Sequence, residues 1–259
     1  MRLENKVAIV TGGGGSIGRE IALELAREGA IVTVVDLDQA KAESTLMMIK
    51  VSGGRGKALT VNVTSKQETI RMADLVNKEF KSIDILVNCA GTDIKGSIID
   101  LPESTWDFLM NLNLKGVFLC TQAVAGIMVA KQSGRIINIS SIAGKTGEPF
   151  TSPYCATKFG VIGFTQSVAM ELGKDGITVN AVCPGPVESD LIKKSIEQSA
   201  KLNKKTYEQE LYDKFLSSTP IGRMAKPGDI AKAVVFLASD DAAFITGSTI
   251  NVSGGKEVH

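Results

Sequence analysis

A serine, a tyrosine and a lysine in the run from Ser141 to Lys158 have the types and spacing for proton transfer. Ser141 precedes Tyr154 by thirteen residues, and Lys158 follows Tyr154 by four. From Tyr154 to Gly173 the apolar residues recur at helical spacing, so the phenol and the ammonium should share one helix face. A phenol with a pKa near 10 is a poor base at neutral pH, a mismatch of about 4 kcal/mol. An ammonium ~4 Å away, at an effective dielectric near 20, supplies roughly that much in favour of phenolate. Tyr154 could then exchange a proton with an alcohol, while Ser141 holds the same oxygen. By itself Y-x-x-x-K is a weak pattern, and its weight depends on the elements that place it.

The first of those elements is K-V-A-I-V-T (Lys6 to Thr11), followed at once by G-G-G-G-S-I-G and an amphipathic segment with Ile21, Ala22 and Leu25 inward and Gly29 at its end. Strand, glycine loop and helix in succession suit a pyrophosphate, because the helix start near Gly18 offers free N–H groups and glycines remove the Cβ atoms that would hold it off. The second strand, Ile31 to Val35, ends in Asp36, eighteen residues past Gly18, where a carboxylate can bond the ribose hydroxyls of a nicotinamide dinucleotide. Leu37 follows, and positions 13 to 15 are glycine. With no cation there for a 2′-phosphate, NAD is expected over NADP. The competing reading has Asp36 capping the helix at Gln39.

Ala58 to Val63, Ile83 to Asn88, Gly134 to Ile139, Ile177 to Cys183 and Ser248 to Val252 also read as strands, with helical patterns between them. Seven strands alternating with helices predict an α/β fold, a Rossmann-like, doubly wound parallel sheet with helices on both faces. Ligands in such sheets sit beyond the carboxyl ends of the strands. Thr11, Asp36, Asn62, Asn88, Ser140, Ser141, Pro184 and Gly185 fall there.

Composition narrows the function. A length of 259 residues with 44% apolar content supports one large core, expected as a single domain over 1–259. A net charge of +1 gives no electrostatic case for nucleic acid or an anionic membrane, leaving small molecules as the expected partners. The longest charge-free run, Gly116 to Ala130, is too short to span a bilayer, and Glu4 and Lys6 interrupt any signal-peptide core, so a soluble, cytoplasmic protein is expected. Cys89, Cys120, Cys155 and Cys183 lie far apart, and His259 is the only histidine. Disulfide scaffolds, Ser-His-Asp or Cys-His catalysis and a metal site are therefore not expected.

The segment 188–218 breaks the strand–helix rhythm and reads as a substrate lid. Tyr207, Leu211, Tyr212, Phe215 and Leu216 form an apolar helical stripe in it, and six lysines balance six acids, which argues for a solvated face and against an anion funnel.

Over nearly its whole length the chain resembles the single-domain branch of the short-chain dehydrogenase/reductase family. The resemblance rests on T-G-G-G-G-S-I-G (Thr11 to Gly18), N-C-A-G (Asn88 to Gly91), N-L-N-L-K-G (Asn111 to Gly116), Ser141 in I-S-S, Tyr154 with Lys158, and P-G-P-V-E-S (Pro184 to Ser189). It implies a catalytic tetrad of Asn113, Ser141, Tyr154 and Lys158, with the asparagine holding a water in the proton path and Lys158 also touching the nicotinamide ribose. It further implies a cofactor cradle of Gly12, Gly15, Ser16, Ile17, Gly18, Asp36, Leu37, Asn62, Val63, Asn88, Ala90, Gly91, Pro184, Gly185, Val187 and Ser189, and a homotetramer. Three positions differ from the family pattern: Ser16 stands for a glycine, Asn62 for an aspartate and Ser189 for a threonine. The implied reaction interconverts a secondary alcohol and a ketone with NAD. Reduction of 3-oxoacyl thioesters, or silent NAD binding on the same fold, is the alternative.

Overall fold

The computed structural model of the protein describes residues 1–259, except for the side chains of Asp190, Leu191, Lys194, Ser195, Gln198 and Leu202. Asp190 and Lys194, part of the charge balance above, thus lie outside the described side chains.

Seven strands form one parallel sheet in the order β3-β2-β1-β4-β5-β6-β7. They are β1 (Val7–Thr11), β2 (Ile31–Asp36), β3 (Arg55–Thr60), β4 (Ile85–Asn88), β5 (Gly134–Ile139), β6 (Ile177–Pro184) and β7 (Thr249–Val252). Side chains alternate between the two faces. Val10, Val34, Val87 and Ile137 meet α1 (Ser16–Arg27), α2 (Gln39–Val51) and α9 (Pro227–Ala238) through Ile21, Leu25, Ile49, Val234 and Val235. Ile9, Val35, Leu86 and Ile136 meet α3 (Lys66–Phe80), α5 (Gly116–Lys131) and α6 (Ser152–Leu172) through Met72, Val76, Val124, Met128 and Leu172. Such two-sided burial explains why the strands are nearly continuous apolar runs. The doubly wound sheet expected from the sequence is the one observed.

Strand ends shift from the sequence reading by one residue at β1, β6 and β7 and by two at β4, and two larger differences stand beside these. The third strand lies three residues earlier, at Arg55–Thr60 rather than Ala58 to Val63. Val61 and Val63 are buried beyond the strand end, in the turn to α3, whereas the strand itself lies at the sheet edge and is mostly half-exposed. Hydrophobic alternation reported burial there and not the hydrogen-bonded ladder. The second difference concerns Gly116 to Ala130, which is part of a longer helical stretch, Glu103–Lys131, comprising α4 (Glu103–Leu109), a π-helical turn (Met110–Lys115) and α5. By length and composition that stretch could cross a membrane, but its inner side, with Cys120, Val124 and Met128, packs on the sheet.

The order of β2, β1 and β4 reverses the winding direction beside β1. There Thr11 pairs with Asn88, and its hydroxyl accepts hydrogen bonds from the amides of Cys89 (3.1 Å) and Ala90 (3.3 Å). This crevice at the strand carboxyl ends receives the residues singled out in the sequence. The segment expected as a lid forms α7 (Asp190–Asn203), α8 (Tyr207–Leu211) and a π-helical turn (Tyr212–Leu216). Its stripe is only partly apolar inside. Phe215 is buried, Tyr212 is exposed, and Glu210 is buried instead, its carboxylate oxygens 3.0 and 3.1 Å from the Asn203 amide nitrogen.

Candidate active site

The glycine loop connects β1 to α1, and two of its glycines are sterically required. Gly12 has φ +64°, and a Cβ there would stand 2.8 Å from the Ala90 Cα; a Cβ on Gly18 would stand 2.2 Å from the Gly12 carbonyl oxygen. Gly12 therefore lets the loop meet the β4 turn, and Gly18 lets the helix meet the loop. The helix begins at Ser16 with Gly15 as its N-cap. No side chain caps it and no acid occupies its first turn; the Gly15 N–H is taken by the Gly12 carbonyl (3.1 Å), and the first N–H groups of the helix itself, on Ser16 and Ile17, suit an anionic pyrophosphate. Ser16 is accommodated at that helix start, and Ile17 packs on the core.

Asp36 caps no helix; Asp38 caps α2 by accepting from Lys41 N–H. The Asp36 carboxylate instead accepts from the amides of Gly14 (Oδ2, 3.0 Å) and Asp38 (Oδ1, 3.0 Å), at the end of β2 beside the glycine loop. One expectation is corrected here. Cations do stand nearby: Arg19 donates to the Gly14 carbonyl (2.9 Å) and to Thr45 Oγ1 (3.3 Å), and the Lys41 stem packs against Gly14. The sequence reading considered only the loop and the position after Asp36, whereas α1 and α2 bring these residues back to the same glycine. Leu37 is exposed, Val63 is buried, and Asn62 accepts from Thr64 N–H and Oγ1.

Asn113 occupies the π-helical turn, where the N–H of Gly116 reaches back five residues to Asn111. The π-helical offset is frequent at functional positions. The Asn113 side chain is fully buried, accepts from Thr92 N–H (3.0 Å) and donates to Thr92 O (2.8 Å) and Thr157 Oγ1 (3.3 Å). Its amide hydrogens thus fasten the turn after β4 to α6. Asn88 is directed elsewhere: its amide donates to Asn138 Oδ1 (2.8 Å) and Thr121 Oγ1 (3.2 Å) between the strands. Beyond it Ala90 packs against the core, and a Cβ on Gly91 would stand 3.0 Å from Asn113 Oδ1 and 3.8 Å from Lys158 Nζ.

Ser141 follows β5, and its hydroxyl accepts from Ala143 N–H (3.1 Å) while bonding to the Tyr154 hydroxyl. Tyr154 and Lys158 occupy successive turns of α6, with Lys158 Nζ 5.5 Å from the phenol ring centroid. That ammonium is buried and donates to the Ile139 carbonyl (2.8 Å). Burial dominates both titrations. It pushes the Tyr154 phenol well above its ordinary value, opposed by the Ser141 hydrogen bond. It lowers the Lys158 ammonium to about 8. Lys158 therefore does more than the simple charge argument assigned to it, because the pair can lose one proton near neutral pH. The singly deprotonated pair can be written as phenol with amine or as phenolate with ammonium, and the second form is the base that alcohol chemistry requires.

Pro184 ends β6, Gly185 bonds Val252 O through its N–H (3.0 Å), and Val187 is buried in a bridge to Ala225. The Ser189 hydroxyl caps α7, accepting from Ile192 N–H (3.3 Å). Missed by the sequence reading was Asp93, two residues past Gly91. Its Oδ1 is buried without a partner, burial raises its pKa, and its charge acts on both Tyr154 and Lys158. Nothing in its own type signalled this; its place immediately after N-C-A-G-T could have.

A family model described as enoyl-(acyl carrier protein) reductase matches residues 13–257. The chain is a short-chain dehydrogenase/reductase. This oxidoreductase family works with a nicotinamide cofactor, and the glycine loop with its uncapped helix fits one. Among its relatives, 3-oxoacyl-[acyl-carrier-protein] reductase FabG of Staphylococcus epidermidis is 42% identical over 252 residues, 97% of this chain and 98% of that protein. The (2S)-[(R)-hydroxy(phenyl)methyl]succinyl-CoA dehydrogenase subunit BbsD of Thauera aromatica is 38% identical over 258 residues, 100% of this chain and 99% of that one. The crystal structure of a single-site variant of actinorhodin polyketide ketoreductase with NADPH superposes with a TM-score of 0.94 at 35% identity, covering 98% of each chain.

Proposed function

We propose that this short-chain dehydrogenase/reductase interconverts a secondary alcohol and a ketone using NAD, as a soluble cytoplasmic enzyme of one domain. The observation that carries the reading is the constellation of half-buried Ser141 and Tyr154 with buried Lys158, in which one proton is available near neutral pH beside a loop suited to a dinucleotide. The nicotinamide, when bound, supplies the hydride acceptor or donor. Ser141 holds the substrate oxygen, Tyr154 takes its proton during oxidation or returns it during reduction, and Lys158 keeps the phenolate form accessible. Asn113 positions the Thr92 backbone beside them.

Asp36 supports NAD, because its carboxylate lies where a ribose would meet it and would repel a 2′-phosphate. NADP is a second reading, favoured by Arg19 and Lys41 around Gly14 and by relatives named for acyl-carrier-protein reduction or solved with NADPH. Those names also favour 3-hydroxyacyl and 3-oxoacyl thioesters as the substrates to try first. The exposed apolar side chains of Phe150, Tyr212 and Ile221, on the loop before α6, in the lid and just beyond it, would suit an acyl or aryl body. The test is a screen of secondary alcohols, hydroxy acids and hydroxyacyl thioesters, followed by NADH and NADPH absorbance. No turnover with any of them under either cofactor would refute the reading.

A further inference from the structure

The segment that leaves β7 bonds both to the turn that carries Ser141 and to the lid. On the Ser141 side, Thr146 Oγ1 donates to Glu257 Oε2 (2.6 Å), and Lys145 Nζ donates to the His259 carbonyl. Glu257 is buried although it is charged, and its other oxygen, Oε1, accepts from the N–H groups of Val258 and His259 (3.1 Å each). Its backbone is held as well, since the Glu257 carbonyl accepts from Ser253 Oγ (3.0 Å) and Asn251 Nδ2 (3.1 Å). Ser141 and Thr146 are the ends of one tight turn, in which Gly144 N–H donates to Ser141 O (2.9 Å) and Thr146 N–H to Ile142 O (3.0 Å). On the lid side, Lys256 Nζ donates to the Lys214 carbonyl (2.9 Å) and stands 5.2 Å from the centroid of the buried Phe215 ring. Just beyond the lid, Ile221 N–H donates to Gly254 O (3.1 Å). Two successive residues, Lys256 and Glu257, thus grip the lid and the Ser141 turn.

We infer that Glu257 is a positioning residue for Ser141, and that residues 254–257 form a strut through which the lid and the Ser141 turn are held as one unit. The proposal rests on the oxidoreductase reading for what Ser141 does and on these hydrogen bonds for how it is held. Thr146 is exposed, so its own burial does not fix it, whereas the charge-assisted bond to Glu257 does. That bond is also the largest influence holding the Glu257 carboxyl below the ordinary carboxylate range. Inside the turn the Ser141 hydroxyl accepts from Ala143 N–H, so a shift of the turn carries the hydroxyl with it. The carbinol oxygen must meet Ser141 and Tyr154 together, and catalysis is steeply sensitive to such placement. Glu257 touches no reacting atom and acts only through Thr146. A substrate seated under the lid would be felt at Ser141 through Lys256 and Glu257.

The bond is cut at Thr146, because Glu257 also holds its own segment. Thr146→Val keeps the shape and removes the hydroxyl, Thr146→Ser keeps the hydroxyl, and Lys256→Met keeps a stem on Phe215 while removing the bond to the lid. The double variant Thr146→Val, Lys256→Met completes the set. With the best substrate of the screen, Thr146→Val should lower kcat about tenfold at unchanged dinucleotide affinity in calorimetry, and Thr146→Ser should restore kcat to within about twofold. The losses in kcat/KM should not multiply: the double variant should lose little more than the worse single variant, because either cut breaks the same strut. Hydrogen exchange reads the strut without turnover. Lys256→Met should speed exchange of the Gly144 and Thr146 amides about tenfold, and Thr146→Val should do the same to the Ile221 amide on the other side. An unchanged kcat in Thr146→Val, no recovery in Thr146→Ser, losses that multiply, or faster exchange only on the side that was cut overturns the proposal while leaving the oxidoreductase reading intact. Exchange transmitted across the strut in a protein that turns over no substrate upholds the strut and overturns the reaction instead.

Discussion

Replacing Lys158 with methionine should make the protein more stable while abolishing its activity. The ammonium is buried, and the fold lowers its pKa from 10.5 to about 8. At pH 6 the lysine is charged in both folded and unfolded chains, so the folded state carries the full burial penalty, about 3 kcal/mol. Between pH 8 and 10.5 the folded chain releases its proton first, the unfolded chain binds more protons, and stability rises with pH. By pH 10 less than about 1 kcal/mol of the penalty remains. Methionine keeps much of the stem's volume and removes the charge, but it also removes the 2.8 Å bond to the Ile139 carbonyl, worth roughly 1–2 kcal/mol for a charged donor. The net gain at pH 6 should be about 1–2 kcal/mol, a rise in Tm of roughly 3–6 °C for a chain of this length. Thermal unfolding of wild type and Lys158→Met at pH 6 and pH 10 is the assay. The variant should unfold at the higher temperature at pH 6, with the gap lost or reversed at pH 10. A less stable variant at pH 6, or a gap independent of pH, would refute the assignment of a buried, penalised ammonium.

Tyr154→Phe should reduce kcat by at least the 10²–10⁴-fold typical of lost acid–base catalysis while leaving dinucleotide affinity nearly unchanged; retention of a tenth of wild-type kcat would contradict the mechanism. The rate of alcohol oxidation by the wild-type enzyme should rise with pH through an apparent pKa near 8 that belongs to the Tyr154–Lys158 pair, and a profile still flat between pH 7 and 9 would contradict the proton assignment. Calorimetry should show tighter binding of NAD than of NADP, narrowed by Asp36→Ala, whereas equal affinities in wild type would remove the basis for NAD. The protein should scatter light as a tetramer at micromolar concentration, because Phe118 on α5 and Phe159 and Met170 on α6 leave apolar side chains exposed on these two helices; a monomer would contradict this.

The sequence alone determined the order of strands and helices, because two-sided burial writes each strand as an apolar run and each helix as a periodic one. It marked the glycine loop by composition and by its place between strand and helix, whereas the collision with Ala90 that requires a glycine at Gly12 exists only in the folded chain. Tyr154 and Lys158 were legible as a pair because one helix turn separates them, and Ser141 because it ends a strand. Only the tertiary structure decided what these residues experience. Burial reverses the simple expectation that the lysine merely lowers the phenol pKa, and no spacing rule contains the depth of a side chain. The Asn113 contacts with Thr92 and Thr157 required α6 to pack beside the turn after β4. Arg19 and Lys41 came to Gly14 through the packing of α1 and α2 beside the glycine loop. Electrostatic interaction depends on distance in space, and the fold alone sets that distance.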